Sequence, residues 1–263
     1  MEVITMFDLN NFVIDRIVRG VALNQKDDSV LFSINQIQNA SLNCASESAD
    51  AVDALGTPIA TFYRAKSAEF SAENALYDMN LMATQLGTSK KVASANDKII
   101  VPAMESFTAA AGGKYNLKHT PKTVPTEIYA LNDDSTFGKK YKKSTGSTAA
   151  EETFACVDGV ISLPTKVTAG TEMFVMYEYE TENAVEVVNS ATNFPVGCKF
   201  IMEVLGCDVC DQTNLVYAYV IFNNFKLSPD FDWSIQTDGA HPFSGKAQQD
   251  YCDKEKRLEM FAA

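Results

Sequence analysis

The chain has 263 residues, of which 46% are hydrophobic and 21% charged, a composition typical of a globular protein and not of a disordered one. Its formal net charge of −12 opposes sequence-specific binding to nucleic acid, although an acidic surface could line a conduit through which DNA slides without sticking. No apolar run is long enough to span a bilayer, and the first residues lack the basic region of a secretory signal, so we expect folding in a reducing cytoplasm.

The first third of the chain predicts strands separated by a polar loop. The stretch NNFVIDRIVRGVAL (10–23) suits a helix as well as a strand, whereas SVLFSINQIQ (29–38) alternates as a strand does. The stretch NASLNCASESADAVDALGTP (39–58) is small and polar and ends in turn residues, so it predicts a loop. The β-branched and aromatic content of IATFYRAKSAEF (59–70) predicts a strand again.

A helix is predicted over residues 71–87, SAENALYDMNLMATQLG. Ser71 suits the N-cap position, Glu73 lies in the first turn near the positive end of the helix dipole, and Gly87 suits the C′ position. An apolar stripe at helical spacing is formed by Leu76, Met79, Ala83 and Leu86. We expect this amphipathic helix to cover the core of a sheet.

Residues 113–150 are low in apolar side chains and are predicted to form an extended loop or an arm. Their basic cluster consists of Lys139, Lys140, Tyr141, Lys142 and Lys143. The cluster fits a solvated turn at the tip of a hairpin, and it also fits a basic arm that docks on an acidic neighbouring subunit. The sequence leaves both interpretations open.

From residue 153 onward the pattern is strongly β. The stretch FACVDGVISLP has a turn at Asp158 and Gly159, and the strand after it exposes an acidic face. That face consists of Met176, Glu178, Glu180 and Glu182. The stretches GCKFIMEVLGCDVC and TNLVYAYVIFNNFKLS predict a hairpin whose second strand is central, because it is apolar on both faces. We therefore predict a mainly-β (α+β) sandwich or barrel in one domain, 1–263, with one flanking helix.

Four cysteines are the candidates for a metal site. Cys207 and Cys210 form a CxxC, Cys198 lies nine residues earlier, and Cys252 lies in the tail. Thiolates at CxxC spacing can share one zinc ion, but a second complete CxxC is missing, so no metal is expected. A redox role is not expected either, because Asp208 and Asp211, which lie beside the two cysteines of the CxxC, would raise the pKa of their thiols.

No motif predicts an enzyme. His119 and His241 lie outside any metal-binding or nucleophile motif, and His241 fits a hydrogen-bonded turn position. The chain has no GxSxG and no phosphate-binding glycine loop. We expect no catalytic residue and no cofactor.

The C-terminal third resembles the closing strands of tail tube (major tail) proteins of tailed bacteriophages. The resembling stretch has an apolar strand, a turn at Lys226–Ser228, an alternating strand with Phe231, Trp233 and Ile235, and then DG and HPF. The paired-strand stretch GTEMFVMYEYETENAVEVV with ATNFP (191–195) is similar to strands just before that segment in the same families. The resemblance covers residues 168–258, and the N-terminal half fits it by its layout.

This resemblance implies a β core that self-assembles into stacked rings around a lumen through which DNA passes. It implies a virion tail location, assembly in the host cytoplasm, contacts with other tail proteins, and no membrane span. The acidic face would suit the lumen, and the 113–150 segment would suit an arm to a neighbouring subunit. The alternatives are a head-decoration or capsid-associated protein, and, in another class, a zinc-stabilised binding module or an enzyme. The long insertion favours the tube, because an arm that reaches the next ring is useful in a filament.

Overall fold

The computed structural model describes residues 11–111, 113–209, 211–248 and 258–262. The first elements along the chain are β1 (Phe12–Asn24), β2 (Val30–Ile34), β3 (Ile37–Val52), β4 (Pro58–Asn74), α1 (Met79–Gln85), β5 (Lys91–Val92), β6 (Ile99–Thr108), β7 (Lys114–Asn116), β8 (Pro121–Thr123) and β9 (Glu127–Leu131). They are followed by β10 (Phe137–Lys143), β11 (Thr153–Val157), β12 (Val160–Ser162), β13 (Glu172–Thr181), β14 (Val185–Glu186), β15 (Gly197–Asp208), β16 (Asp211–Leu227), β17 (His241–Ala247) and β18 (Leu258–Ala262).

The protein is mainly β, with curled sheets and one short helix, as the sequence predicted. It divides into two compact units, one of residues 1–90 with 187–263, and one of residues 91–186. The domain predicted over 1–263 is thus organised as two units, with the second inserted into the sequence of the first.

The first unit is built on one eight-stranded sheet in the order β2-β1-β15-β16-β17-β4-β3, with β18 paired to β16. Its core is rich in phenylalanine, and the rings of Phe70, Phe200 and Phe225 lie 5.4 to 6.3 Å apart. All three are buried. Close aromatic packing of this kind stabilises the sheet beyond the burial of apolar area alone.

The second unit has its own sheet in the order β6-β13-β9-β10-β11-β12-β7, with β8 paired to β13, and β5 pairs separately with β14. Ile128, Phe154, Ile161 and Met173 are fully buried in its core. The predicted turn between β11 and β12 is confirmed, with positive φ angles at Asp158 and Gly159 that suit a tight hairpin.

Strand pairing shows that two stretches in the N-terminal third, which the sequence left ambiguous or assigned to a loop, are strands. The ambiguous stretch from residue 10 to residue 23 forms strand β1, which pairs with β2 and β15. The loop predicted over residues 39–58 is wrong, because β3 (Ile37–Val52) occupies most of it and pairs along its length with β4. Only the turn around Gly56 was predicted correctly. The strand predicted at 59–70 is confirmed within β4.

The helix predicted over residues 71–87 is much shorter than expected. Ser71 is not an N-cap, because it continues β4 and pairs with Ser244 of β17. The helix begins instead after Asp78, whose side chain accepts hydrogen bonds from the backbone N–H groups of Asn80 and Leu81. The predicted C′ position of Gly87 agrees with its φ of 66°.

The C-terminal resemblance region contains one strand fewer than expected. Lys226 and Leu227 belong to β16, so the predicted turn begins later, and residues 231–235 do not form the predicted strand. Trp233 packs edge-on against Tyr77 at 5.0 Å, and the Tyr77 hydroxyl donates a hydrogen bond to the Ser234 carbonyl. Residues 231–235 are thus held by these contacts with Tyr77 and not by strand pairing. The predicted hairpin of β15 and β16 is confirmed, as is the central position of β16.

The segment 113–150 contains four strands, β7 to β10, which belong to the sheet of the second unit. Ile128 and Tyr141 are buried in that unit's core. The segment therefore contributes core side chains, although its composition is low in apolar residues. Whether any part of it reaches a neighbouring subunit stays a prediction. No helix in the described part of the chain is long and apolar enough to cross a membrane.

Candidate assembly surface

The β3–β4 hairpin extends past the sheet to which it belongs. β17 pairs with β4 only between Ala68 and Asn74, and β3 has β4 as its only strand partner among the described residues. Residues 45–67, which we call the ribbon, are therefore two paired strands with no third strand in the described chain. At about 3.4 Å per residue, the ribbon is roughly 25 Å long.

The tip of the ribbon is a well-formed turn. The Asp53 carboxylate accepts hydrogen bonds from the backbone N–H groups of Leu55 and Thr57, at 2.8 and 2.9 Å. The bonds from Thr57 and Leu55 hold the pKa of Asp53 below its usual value, and Gly56 supplies the positive φ that the turn requires. The turn presents the Leu55 side chain, which is 91% exposed.

One face of the ribbon carries only apolar side chains along its middle. The register pairs Ala49 with Phe62 and Ala51 with Ala60, so these four side chains share one face. We call them the apolar face. The opposite face is mixed, because Thr61 is paired there with Asp50 and lies between the exposed side chains of Ile59 and Tyr63. Phe62 is 57% exposed, so no described residue covers it.

The ribbon has two properties that an isolated surface hairpin normally avoids. A two-stranded hairpin is marginally stable in water without a third strand or a packing partner. Its outer edges also present unpaired backbone N–H and C=O groups, which are a template for pairing with another chain. A ribbon with an exposed apolar face and free edges is therefore suited to contact another protein chain.

The basic cluster lies on β10, not at a hairpin tip. Tyr141 is buried, and the two lysines before it are paired with carboxylates of the same unit. The Lys139 ammonium lies 2.5 Å from a Glu152 carboxylate oxygen, and the Lys140 ammonium lies 3.0 Å from that of Glu127. Lys142 is exposed and Lys143 half-buried. The solvated hairpin tip is therefore wrong, and the role of the cluster in docking stays a prediction.

The predicted acidic face is exposed as expected along β13. Glu178 and Glu180 alternate with buried or half-buried residues, and Glu182 follows the strand. The Lys122 ammonium lies 2.7 Å from Glu180, whose pKa is lowered mainly by this hydrogen bond, and Lys98 lies 3.2 Å from Glu182. The charge of this face is thus partly neutralised within the unit. Its place in a lumen stays a prediction.

The four candidate cysteines do not form one described site. Cys198 and Cys207 lie near opposite ends of β15, about 30 Å apart at the rise of a strand. Burial raises the pKa of the Cys198 thiol to about 12, and its Sγ donates a hydrogen bond to the Phe225 carbonyl. Cys210 and Cys252 lie outside the described residues. Across the described ranges, no three Cys, His, Asp or Glu side chains are arranged to hold a metal ion.

The two histidines have structural partners. His241 is buried; its Nδ1 accepts from the Asp78 backbone N–H at 3.3 Å, and its Nε2 lies 2.8 Å from Gln85 Oε1. Burial lowers the His241 pKa and outweighs the opposing effect of the Asp78 charge. His119 stacks on Tyr179, with ring centroids 3.8 Å apart. The satisfied histidine predicted at 241 is thus confirmed, at the start of β17.

A buried carboxylate in the second unit was missed by the sequence analysis. Glu105 on β6 accepts hydrogen bonds from the Tyr177 hydroxyl, from the Tyr115 hydroxyl at 2.7 Å, and from the Lys118 backbone N–H at 3.1 Å. Burial alone would raise the pKa of Glu105, but the three donors outweigh it and lower the pKa. The alternation of Ala103, Glu105 and Phe107 could have indicated this inward position. Because the carboxylate is fully bonded, it has a structural role.

The β3 strand of the ribbon was missed for a different reason. It is exposed on both faces and its residues are mostly small and polar, so it lacks the apolar and polar alternation by which a half-buried strand is recognised.

Comparison with known proteins gives one family. The model of the YomU/Tube protein family matches residues 12–257, which is nearly the whole chain. A search of the curated proteins gave no match.

Proposed function

Because the chain belongs to the YomU/Tube protein family and is therefore a tail tube-type structural protein of a phage, we propose that it assembles with copies of itself into stacked rings. The rings form a conduit for DNA in the virion tail, and the subunits assemble in the host cytoplasm and join other tail proteins. The family is a structural one, which supports the expectation that the chain is not an enzyme.

The ribbon is the observation that carries this proposal. Its apolar face, with Phe62 at the centre, is covered by no described residue, and its free edges can pair with a strand of another chain. In a ring or stack, a second copy covers this face and completes the sheet. The net charge of −12 supports the conduit, because an acidic protein gains no counterion release from DNA that passes through it.

The test of the ribbon is a charge placed on its apolar face. Phe62→Asp would put a carboxylate into the contact, where it would be desolvated without a partner. We expect wild type to sediment as large assemblies at high concentration and Phe62→Asp to sediment as a monomer. The measurement is sedimentation velocity across concentration.

The matched control is Thr61→Asp, the neighbour of Phe62 on β4, which adds the same charge on the opposite face. Its repulsion from Asp50 across the strand pair costs at most about 1 kcal/mol, so assembly of this variant is a stringent control. It is expected to assemble as wild type does. Because both side chains are exposed, both variants are expected to fold, which the circular dichroism spectrum checks. If Phe62→Asp assembles as completely as Thr61→Asp, the apolar face is not the contact surface.

A further inference from the structure

An open groove crosses one end of the sheet of the second unit. It has a volume of about 760 Å³ and lies between the β9–β10 turn, Asn132–Ser135, and the segment Gly170–Glu172, where β13 begins. Phe137 and Phe174 are also in its lining. Neither the basic cluster nor the ribbon belongs to it.

Both walls of the groove are fixed by hydrogen bonds. The Asn132 side-chain amide donates to the Thr136 hydroxyl at 2.9 Å, and the Asp134 carboxylate accepts from the Thr136 backbone N–H at 3.0 Å. On the other wall, the Gly170 backbone N–H donates to the Ala109 carbonyl at 2.9 Å. A groove with walls held this way is formed before any ligand arrives, which lowers the entropic cost of binding.

The floor presents aromatic rings to solvent. Phe137 is 61% exposed, and its ring centroid lies 5.0 Å from that of Phe174 and 5.1 Å from that of Tyr129. These three rings form a platform in which Phe137 is the outermost. Soluble proteins rarely expose several aromatic rings together, and such a cluster in a groove indicates a binding site.

The rim adds polar groups with unused hydrogen-bonding capacity. Within the described contacts, the side chains of Ser106, Asp133 and Ser135 have no hydrogen-bond partner. Glu172 accepts a hydrogen bond from the Thr108 hydroxyl and has a second carboxylate oxygen available. The rim therefore offers hydroxyl and carboxylate groups around the aromatic platform.

The charge of the lining limits the ligand. Asp133 and Glu172 are acidic, and the lining contains no lysine or arginine, so a phosphate or a uronic acid would be repelled. A neutral sugar matches the groove well, since its C–H face can stack on an aromatic ring while its edge hydroxyls bond to carboxylates and serines. We propose that this groove binds a neutral glycan, with Phe137 as the stacking ring and Asp133 as a hydroxyl acceptor.

Glycan binding in the groove would also restrict where the acidic face of β13 can lie in an assembly. Phe174, Glu178 and Glu180 share the exposed face of that strand, so the groove and the acidic residues lie on the same side of the sheet. A glycan-binding face must be reachable from outside the assembly. Glycan binding and a lumen position are therefore mutually exclusive for this face.

The experiment is affinity electrophoresis of the full chain in native gels that contain a soluble polysaccharide. The probes are four neutral polymers, an α-glucan, a β-glucan, a mannan and a galactan, and one anionic polymer, alginate. We expect at least one neutral polymer to retard wild type and alginate not to do so. Phe137→Ala is expected to bind the retarding polymer about tenfold more weakly, since it removes the stacking ring.

The matched control is Met176→Ala, which truncates another exposed apolar side chain of the same face outside the groove lining. It is expected to bind as wild type does. The proposal is overturned if no neutral polymer retards the wild type, or if Phe137→Ala is retarded equally. It is also overturned if Phe137→Ala lowers self-association in sedimentation, because the groove would then be a contact between copies. If Phe62→Asp assembles as wild type does, the ribbon proposal fails, but the result of the polysaccharide experiment still stands.

Discussion

At the scale of single residues, Glu105 is a buried carboxylate of the second unit that accepts hydrogen bonds from three donors. Glu105→Gln keeps the volume but loses the charge that three donors stabilise, and it places an amide N–H₂ group against hydroxyl donors. We expect the free energy of unfolding to fall by about 2 kcal/mol, measured by urea denaturation at neutral pH. Glu178→Gln, an exposed change on β13, is expected to stay within about 0.5 kcal/mol of wild type.

The stability of wild type relative to Glu105→Gln should depend on pH. The pKa of Glu105 is lowered in the folded state from an ordinary value of 4.5, so its stabilising effect is complete above 4.5 and is lost as the pH falls through the folded pKa. The difference in stability between wild type and Glu105→Gln should therefore narrow as the pH falls below about 4.5. A difference that stays constant as the pH falls would mean that the pKa of Glu105 is the same in the folded and the unfolded protein.

At the scale of elements, Gly87 fixes the end of α1. Its φ is 66°, and a Cβ built on it would lie 2.3 Å from backbone atoms of Phe194. Gly87→Ala would combine a strained backbone with a backbone clash, so we expect a loss of at least about 2 kcal/mol in the free energy of unfolding. The measurement is the midpoint of thermal and urea unfolding.

Gly146→Ala provides the comparison for this prediction. A Cβ at Gly146 would meet nothing within 4 Å, and the backbone there needs no positive φ. Its stability is expected to stay within about 0.5 kcal/mol of wild type or to rise slightly. Equal stability of the two variants would contradict the role of Gly87 in ending the helix.

The elements that the sequence predicted well are those whose environment follows the local pattern. β2 alternates, the β11–β12 hairpin has its turn residues, and β15 and β16 are apolar runs joined by a short turn. The predicted helix over 71–87 was wrong only in its first part, up to Asn74, because Ala72 and its neighbours fit a helical stripe, while pairing with β17 draws them into a strand. Tertiary pairing decided between two patterns that the same residues satisfy.

The candidate site was harder to predict than the fold. β3 was assigned to a loop because its small and polar residues resemble linker composition, and only pairing with β4 reveals a strand. The aromatic platform was hidden because Phe137, Tyr129 and Phe174 lie on three strands that only the register brings together. A strand that is exposed on both faces shows no apolar and polar alternation, and a cluster built from three strands forms no local motif. Neither feature can therefore be recognised from a short stretch of sequence.

At the scale of the whole molecule, the insertion of residues 91–186 explains why the sequence predicted one domain. Its strands continue the same β pattern as the rest of the chain, although the polar stretch GTSKKVASANDK (87–98) crosses the first boundary. The family match spans both units, so the inserted unit belongs to the matched region as a whole. We therefore propose that the ribbon of the first unit serves assembly and that the groove of the second unit binds a ligand.

If this chain builds a tube, negative-stain electron microscopy of the purified chain across a range of concentrations will show it. We expect stacked rings or hollow filaments at high concentration for the wild type and for Thr61→Asp, and dispersed single particles for Phe62→Asp. Solid aggregates, or wild-type particles that remain single at every concentration, would contradict the account.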